Sequence, residues 1–102
     1  MLISGRVIAG GDTTPEGLLD APRRFVYQAE TDDGSIVNLT YTAFPPSPFG
    51  DQQREKIRLV FHAGKISLGD RIKACGSYDP ETDTLTVAQE GDFIETSPAN
   101  HQ

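Results

Sequence analysis

Apolar and polar residues alternate along most of this chain with a period of two. Ile3 and Val7 alternate against Ser4 and Arg6 in residues 2–9. In residues 24–30, Phe25, Tyr27 and Ala29 fall on one side, with Val26 and Gln28 on the other. Residues 36–43 put Val37, Leu39 and Tyr41 on one face and Asn38, Thr40 and Thr42 on the other. Two closing runs, 71–78 and 84–88, flank the turn Asp79-Pro80-Glu81-Thr82-Asp83 and place Ile72, Ala74, Leu85 and Val87 on one face of a hairpin. A period of two is the mark of strands buried on one face. The pattern therefore predicts an all-β chain with Val7, Phe25, Tyr27, Val37, Leu39, Ile72, Leu85 and Val87 inside. Gly5 and Gly76 interrupt their runs where a strand must bend or bulge.

The segments between these runs are of several kinds. Residues 10–22 hold three glycines, two prolines and no period, which predicts a long loop that Leu18 and Leu19 pin down. Thr31-Asp32-Asp33-Gly34-Ser35 reads as a turn. Phe44-Pro45-Pro46-Ser47-Pro48-Phe49-Gly50 is extended and poor in donors. Phe44 and Phe49 either tether that loop or, with Pro46, present a surface for a protein partner. Residues 51–63 read two ways. Asp51 and Gly64 suit the ends of a helix with Ile57, Val60 and Phe61 at helical spacing. Ile57, Leu59 and Phe61 also alternate as a strand, and the β-branched and aromatic density tips the reading to strand, with residues 44–55 as loop. Phe93 and Ile94 are expected to seal the base of the core. Residues 97–102 are expected to form a flexible tail.

"Gly-Asp, strand, Gly, hairpin, strand" at positions 69–88, closing a small all-β chain, resembles the final hairpin of OB-fold domains. The resemblance covers roughly residues 2–96. It implies one domain over residues 1–96, a five-stranded OB-like Greek-key barrel with at most one short helix. It looks closest to small nucleic-acid-binding OB domains of helicases, replication factors and tRNA-handling enzymes. Such domains bind oligonucleotides or oligosaccharides on the second and third strands and on two loops, here residues 24–43, 10–22 and 79–83.

Composition narrows the picture. One hundred and two residues suit one domain with a single core. No run is long enough for a membrane span. The lone Cys75 excludes an internal disulfide and fits a reducing cytoplasm. A net charge of −6 opposes strong binding to a polyanion. The basic residues are nevertheless uneven: Arg54, Lys56, Arg58, Lys65, Arg71 and Lys73 fall within one stretch, opposed there by Glu55 and Asp70. They form either part of a mixed, solvated surface or a basic strip on an acidic body.

Candidate chemistry follows from these placements. Single-strand binders stack bases on exposed aromatics beside cations, yet Phe25, Tyr27 and Tyr41 are expected to point inward. The nucleic-acid face would then consist of Arg23, Arg24, Gln28, Asn38, Thr40, Arg58, Arg71 and Lys73. Its expected ligand is single-stranded DNA or RNA, held weakly. The alternative is an OB-like protein-interaction module without nucleic-acid binding, consistent with the acidity and the proline-rich loop. Catalysis has little support: His62 lacks a neighbouring acid or nucleophile in sequence, and His101 lies in the tail. Cys75 has no ligand partner at metal spacing, and Asp79, Glu81 and Asp83 lack the glycine and terminal glutamate of a calcium loop. No cofactor or metal is expected.

Overall fold

The computed structural model describes residues 1–14, 23–42 and 52–98. Of the loop expected over residues 10–22, residues 15–22 with Leu18 and Leu19 lie outside the described residues. So do Phe44, Pro46 and Phe49 of the proline-rich segment, the Asp51 cap and residues 99–102.

Seven strands and one helix make up the fold: β1 (Leu2–Asp12), β2 (Arg24–Thr31), β3 (Ile36–Thr42), α1 (Gln52–His62), β4 (Arg71–Cys75), β5 (Ser77–Asp79), β6 (Thr84–Thr86) and β7 (Phe93–Ser97). They form one curled sheet in the order β5-β6-β3-β2-β1-β4-β7. Neighbours pair antiparallel except β3 and β6, which run parallel with Leu39 opposite Leu85. The chain is thus mostly β, curled into a half-barrel. The strand count is seven where the sequence pattern predicted five. One reason is Gly76, which divides the run 71–78 into β4 and β5; the other is that the C-terminal segment adds β7 to the edge of β4.

The predicted core is buried throughout. Val7, Phe25, Tyr27, Val37, Leu39, Ile72, Leu85 and Val87 all lie inside, joined by Ile3, Ala29, Tyr41, Ala74 and Ile94. Phe93, expected beside Ile94 at the base, is only half-buried. β1 runs three residues past its expected end, to Asp12, because Gly10, Gly11 and Asp12 still pair with Tyr27, Val26 and Phe25. A bulge between Val7 and Ala9 re-aims the strand there. At Gly5 and Gly76 the requirement is close approach. A Cβ on Gly5 would collide with the Glu30 carbonyl, and one on Gly76 with the Thr86 carbonyl.

Residues 52–62 form a helix, which corrects the strand expected over 51–63 and the loop expected up to 55. The helical spacing wins because it buries Ile57 and Phe61 on one face and leaves Leu59 exposed; a strand would have put all three together. Phe61 stacks on Tyr41 with ring centroids 4.6 Å apart and also meets Phe25 at 5.7 Å. Gly64 ends the helix at φ +65°. Its N–H donates to the Phe61 carbonyl and the Lys65 N–H to that of Val60, the paired bonds of a Schellman cap. The helix therefore covers the Phe25–Tyr41 end of the sheet, and the opposite end carries the turns 31–35 and 80–83.

Candidate functional site

Two surfaces of the sheet are candidates for a binding site. The first is the outer face of β2 and β3. Alternation sends Phe25, Tyr27 and Tyr41 inward and leaves Arg24, Val26, Gln28, Asn38 and Thr40 outward. Val26 stands opposite Thr40 and Gln28 opposite Asn38. Thr84 and Thr86 of β6 extend the rows past Asn38 and Thr40. Much of this polar capacity is used within the fold. Asn38 Nδ2 donates to the Thr82 carbonyl at 3.3 Å, Thr40 Oγ1 donates to the Phe25 carbonyl at 3.1 Å, and Gln28 approaches Asn38 at 3.5 Å. Arg23 sits at the helix-side end of this face and is ion-paired with Asp12. Hydrogen bonds from Thr14, with the Arg23 guanidinium behind them, hold the Asp12 carboxyl below the usual carboxylate range.

The structure thus gathers Arg23, Arg24, Gln28, Asn38 and Thr40 on one surface, and it sets the other three candidates elsewhere. Arg71 and Lys73 are on β4, separated from β2 by β1. Arg58 is on the helix, bonded through Nε to Glu55 at 3.0 Å. Of the residues read as a basic strip, Arg71 is met by an acid from a distant part of the chain, and Lys73 faces another across a strand pair. Arg71 pairs with Asp32 at 2.8 Å. Lys73 lies directly across from Glu95 of β7, and Arg6 across from Glu30. Arg71, Lys73 and Glu95 line one cleft of about 240 Å3. An exposed pair such as Arg71–Asp32 is worth roughly 0–1 kcal/mol, so it does not lock the cation, yet it offsets the charge locally. The sequence could not show this, because Asp32 and Glu95 are remote in the chain and are brought in by strand pairing.

The second surface is a cleft of about 290 Å3 at the end of the sheet opposite α1. Leu2, Ile3, Val37 and Tyr78 give it apolar walls, and Asp32 and Asp33 stand at its rim. Its polar groups are organised. The Tyr78 hydroxyl donates to Asp83 at 2.7 Å, which raises the phenol's pKa. Asp33 accepts from the Thr31 hydroxyl and the Ser35 amide, which hold its carboxyl low. Sequence reading missed this cleft. Its lining comes from three separate segments, residues 1–4, 31–37 and Tyr78; the one local sign of it is Leu2, an apolar residue out of phase with Ile3 and Val7, which is 52 % accessible.

His62 is exposed and packs its ring against Phe25 and Tyr41, with centroids 5.6 and 5.7 Å away. Loss of water from the ring face packed on those two aromatics pushes its pKa down, aided by Arg58 and Arg23. Cys75 is half-buried on β4. Among the described residues, no group of three or more His, Cys, Asp or Glu side chains is arranged to hold a metal ion. No helix among them is long and apolar enough to cross a membrane. No protein-family model matches the chain, and no curated protein or solved structure does so either.

Proposed function

We propose that this chain is an OB-like Greek-key barrel of five working strands that acts as a protein-interaction module. The topology supports the fold: β1–β2–β3 is a meander, β3 runs parallel to β6, β1 pairs with β4, and the helix lies between β3 and β4. In this reading β4 and β5 are one strand bent at Gly76, and β7 is an addition. The bend carries the chain from β4, beside β1, to β5, beside β6, as a strand shared by the two sides of a barrel would run. The lone thiol of Cys75 suits a cytoplasmic setting.

The observation that carries the functional reading is the direction of the aromatics. Tyr27 and Tyr41 are 7 % and 0 % exposed and Phe25 is 6 %, so the β2–β3 face offers no ring for a base to stack on. Base stacking is a main source of affinity in single-strand binders. Phosphate contacts are the other main source, and here Arg23, Arg58 and Arg71 carry acidic partners. What remains is an acidic, polar barrel with an apolar cleft at one end, a surface better suited to protein than to a polyanion. The test is a fluorescence-anisotropy titration with a labelled single strand at low and at moderate salt. No salt-sensitive binding is expected up to high micromolar protein.

A second reading, weak binding of single-stranded DNA or RNA, is favoured by the grouping of Arg23, Arg24, Gln28, Asn38 and Thr40 on one face. On that reading the same titration shows salt-dependent binding, each phosphate contact adding about 0.7 to the slope of log affinity against log salt. Replacing Arg23 and Arg24 by Glu would then remove it.

A further inference from the structure

We infer that the cleft at the open end of the sheet receives an apolar side chain from a short basic segment of a partner protein; this inference rests on the protein-interaction role above. The cleft has room for one or two side chains, since its volume of about 290 Å3 sits at the lower edge of ligand pockets, roughly 300–1,000 Å3. Its walls are apolar, and Leu2 remains half in water beside it. An entering aliphatic group would cover that surface.

Charge names the rest of the occupant. β6 runs parallel to β3, with Thr84 beside Asn38. The turn before β6 therefore lies at the same end as the turn before β3. That end gathers Asp32 and Asp33 from one turn and Asp79, Glu81 and Asp83 from the other. The Tyr78–Asp83 hydrogen bond ties the second turn to the cleft wall. Fewer cations stand near them: Arg71, already paired with Asp32, the Met1 ammonium, bonded to the Gly76 carbonyl, and on the flank Lys73, across from Ser4, and Arg6, the last two facing Glu95 and Glu30. An apolar slot with a surplus of carboxylates around it complements a hydrophobic residue flanked by lysine or arginine. It repels an acidic peptide, a nucleic acid and, with this chain's net charge of −6, a second copy of itself.

The experiment uses the full chain and a fluorescein-labelled peptide with one leucine between two lysine pairs. Saturable one-to-one binding is expected. Affinity should fall at least about tenfold when the leucine becomes serine, and again when the lysines become glutamates. Higher salt should weaken binding while leaving the leucine dependence in place. Ser35→Trp, which fills the cleft from an exposed position, and Glu81→Lys, which reverses a charge at its end, should each weaken binding by a similar factor. Unchanged melting curves would show that both variants fold.

Equal binding of the leucine and serine peptides would mean mere charge attraction and would overturn the inference. So would full binding by Ser35→Trp. A concentration-dependent dimer broken by Ser35→Trp would assign the cleft to a second copy and overturn it as well. If neither the peptide nor the labelled single strand binds, this inference fails while the protein-interaction reading stands. Salt-sensitive binding of the single strand defeats that reading itself.

Discussion

Individual side chains set the tolerances of this fold, and the tightest are glycines facing carbonyls. Gly76→Ala forces a methyl into the Thr86 carbonyl, and Gly5→Ala does the same at Glu30. Backbone cannot swing aside as a flexible side chain can, so each should lower stability by about 1–3 kcal/mol, the usual cost of overpacking. Urea unfolding measures this directly. Gly11→Ala, where nothing lies within reach of a Cβ, should be close to neutral and serves as the control. Leu39 is fully buried between β2 and β6, and Leu39→Ala should cost about 2–5 kcal/mol through lost burial and a cavity. Asp92 is a different case. Its sequence position among Glu90 and Glu95 reads as solvated charge, yet it is buried, and its Oδ2 accepts the N–H groups of Ala88 and Gln89 at 2.9 and 2.8 Å. Asp92→Ala leaves those two donors unmet, and about 1–3 kcal/mol should go with them.

Elements were legible in proportion to how local their signal is. The alternation in 24–30 and 36–43 fixes both the strands and their inward faces, because a one-residue slip would turn every apolar side chain to water. In 56–61 the same alternation misleads. Ile57, Leu59 and Phe61 fit a strand by themselves, and only the aromatic cluster of Phe25 and Tyr41, distant in sequence, makes the helical pairing of Ile57 with Phe61 the better burial. A pair of substitutions separates the two arrangements. In the helix, Ile57→Lys should strongly destabilise the protein and Leu59→Lys should leave the melting temperature nearly unchanged; in a strand both would be equally harmful. The candidate site was less legible than the core. Gln28, Asn38 and Thr40 were placed together because they share one hairpin. The ion pair of Arg71 with Asp32, the placing of Lys73 across from Glu95, and the apolar cleft all arise from pairings between distant segments, which no local pattern carries.

At the scale of the molecule, the titrating groups set how stability depends on pH. The pKa of His62 is pushed below its ordinary 6.5, chiefly by partial desolvation against Phe25 and Tyr41. A depressed histidine binds its proton more readily in the unfolded chain, so acidification through that value favours unfolding. The carboxyls of Asp12, Asp33 and Glu55 are held low by their hydrogen bonds. Their contribution is present above the ordinary carboxylate range, about pH 4, and is lost as pH falls through the lower folded values. Both effects have the same sign. The urea midpoint should fall slightly on going from about pH 8 to pH 5 and more steeply below pH 4. His62→Gln should flatten only the first part, and a midpoint that rose on acidification would contradict the assignment.

On the proposed reading the same charge distribution decides what the curled sheet binds, and amide chemical-shift mapping on isotope-labelled protein tests that claim most directly. One sample is titrated in turn with the lysine–leucine peptide and with a short single-stranded oligonucleotide. The peptide should shift the amides of Ser4, Thr31, Ser35 and Tyr78 around the cleft, while the oligonucleotide leaves Gln28, Asn38 and Thr40 where they were. Saturable, salt-sensitive shifts across Gln28, Asn38 and Thr40 with the oligonucleotide, and none around the cleft with the peptide, would contradict it.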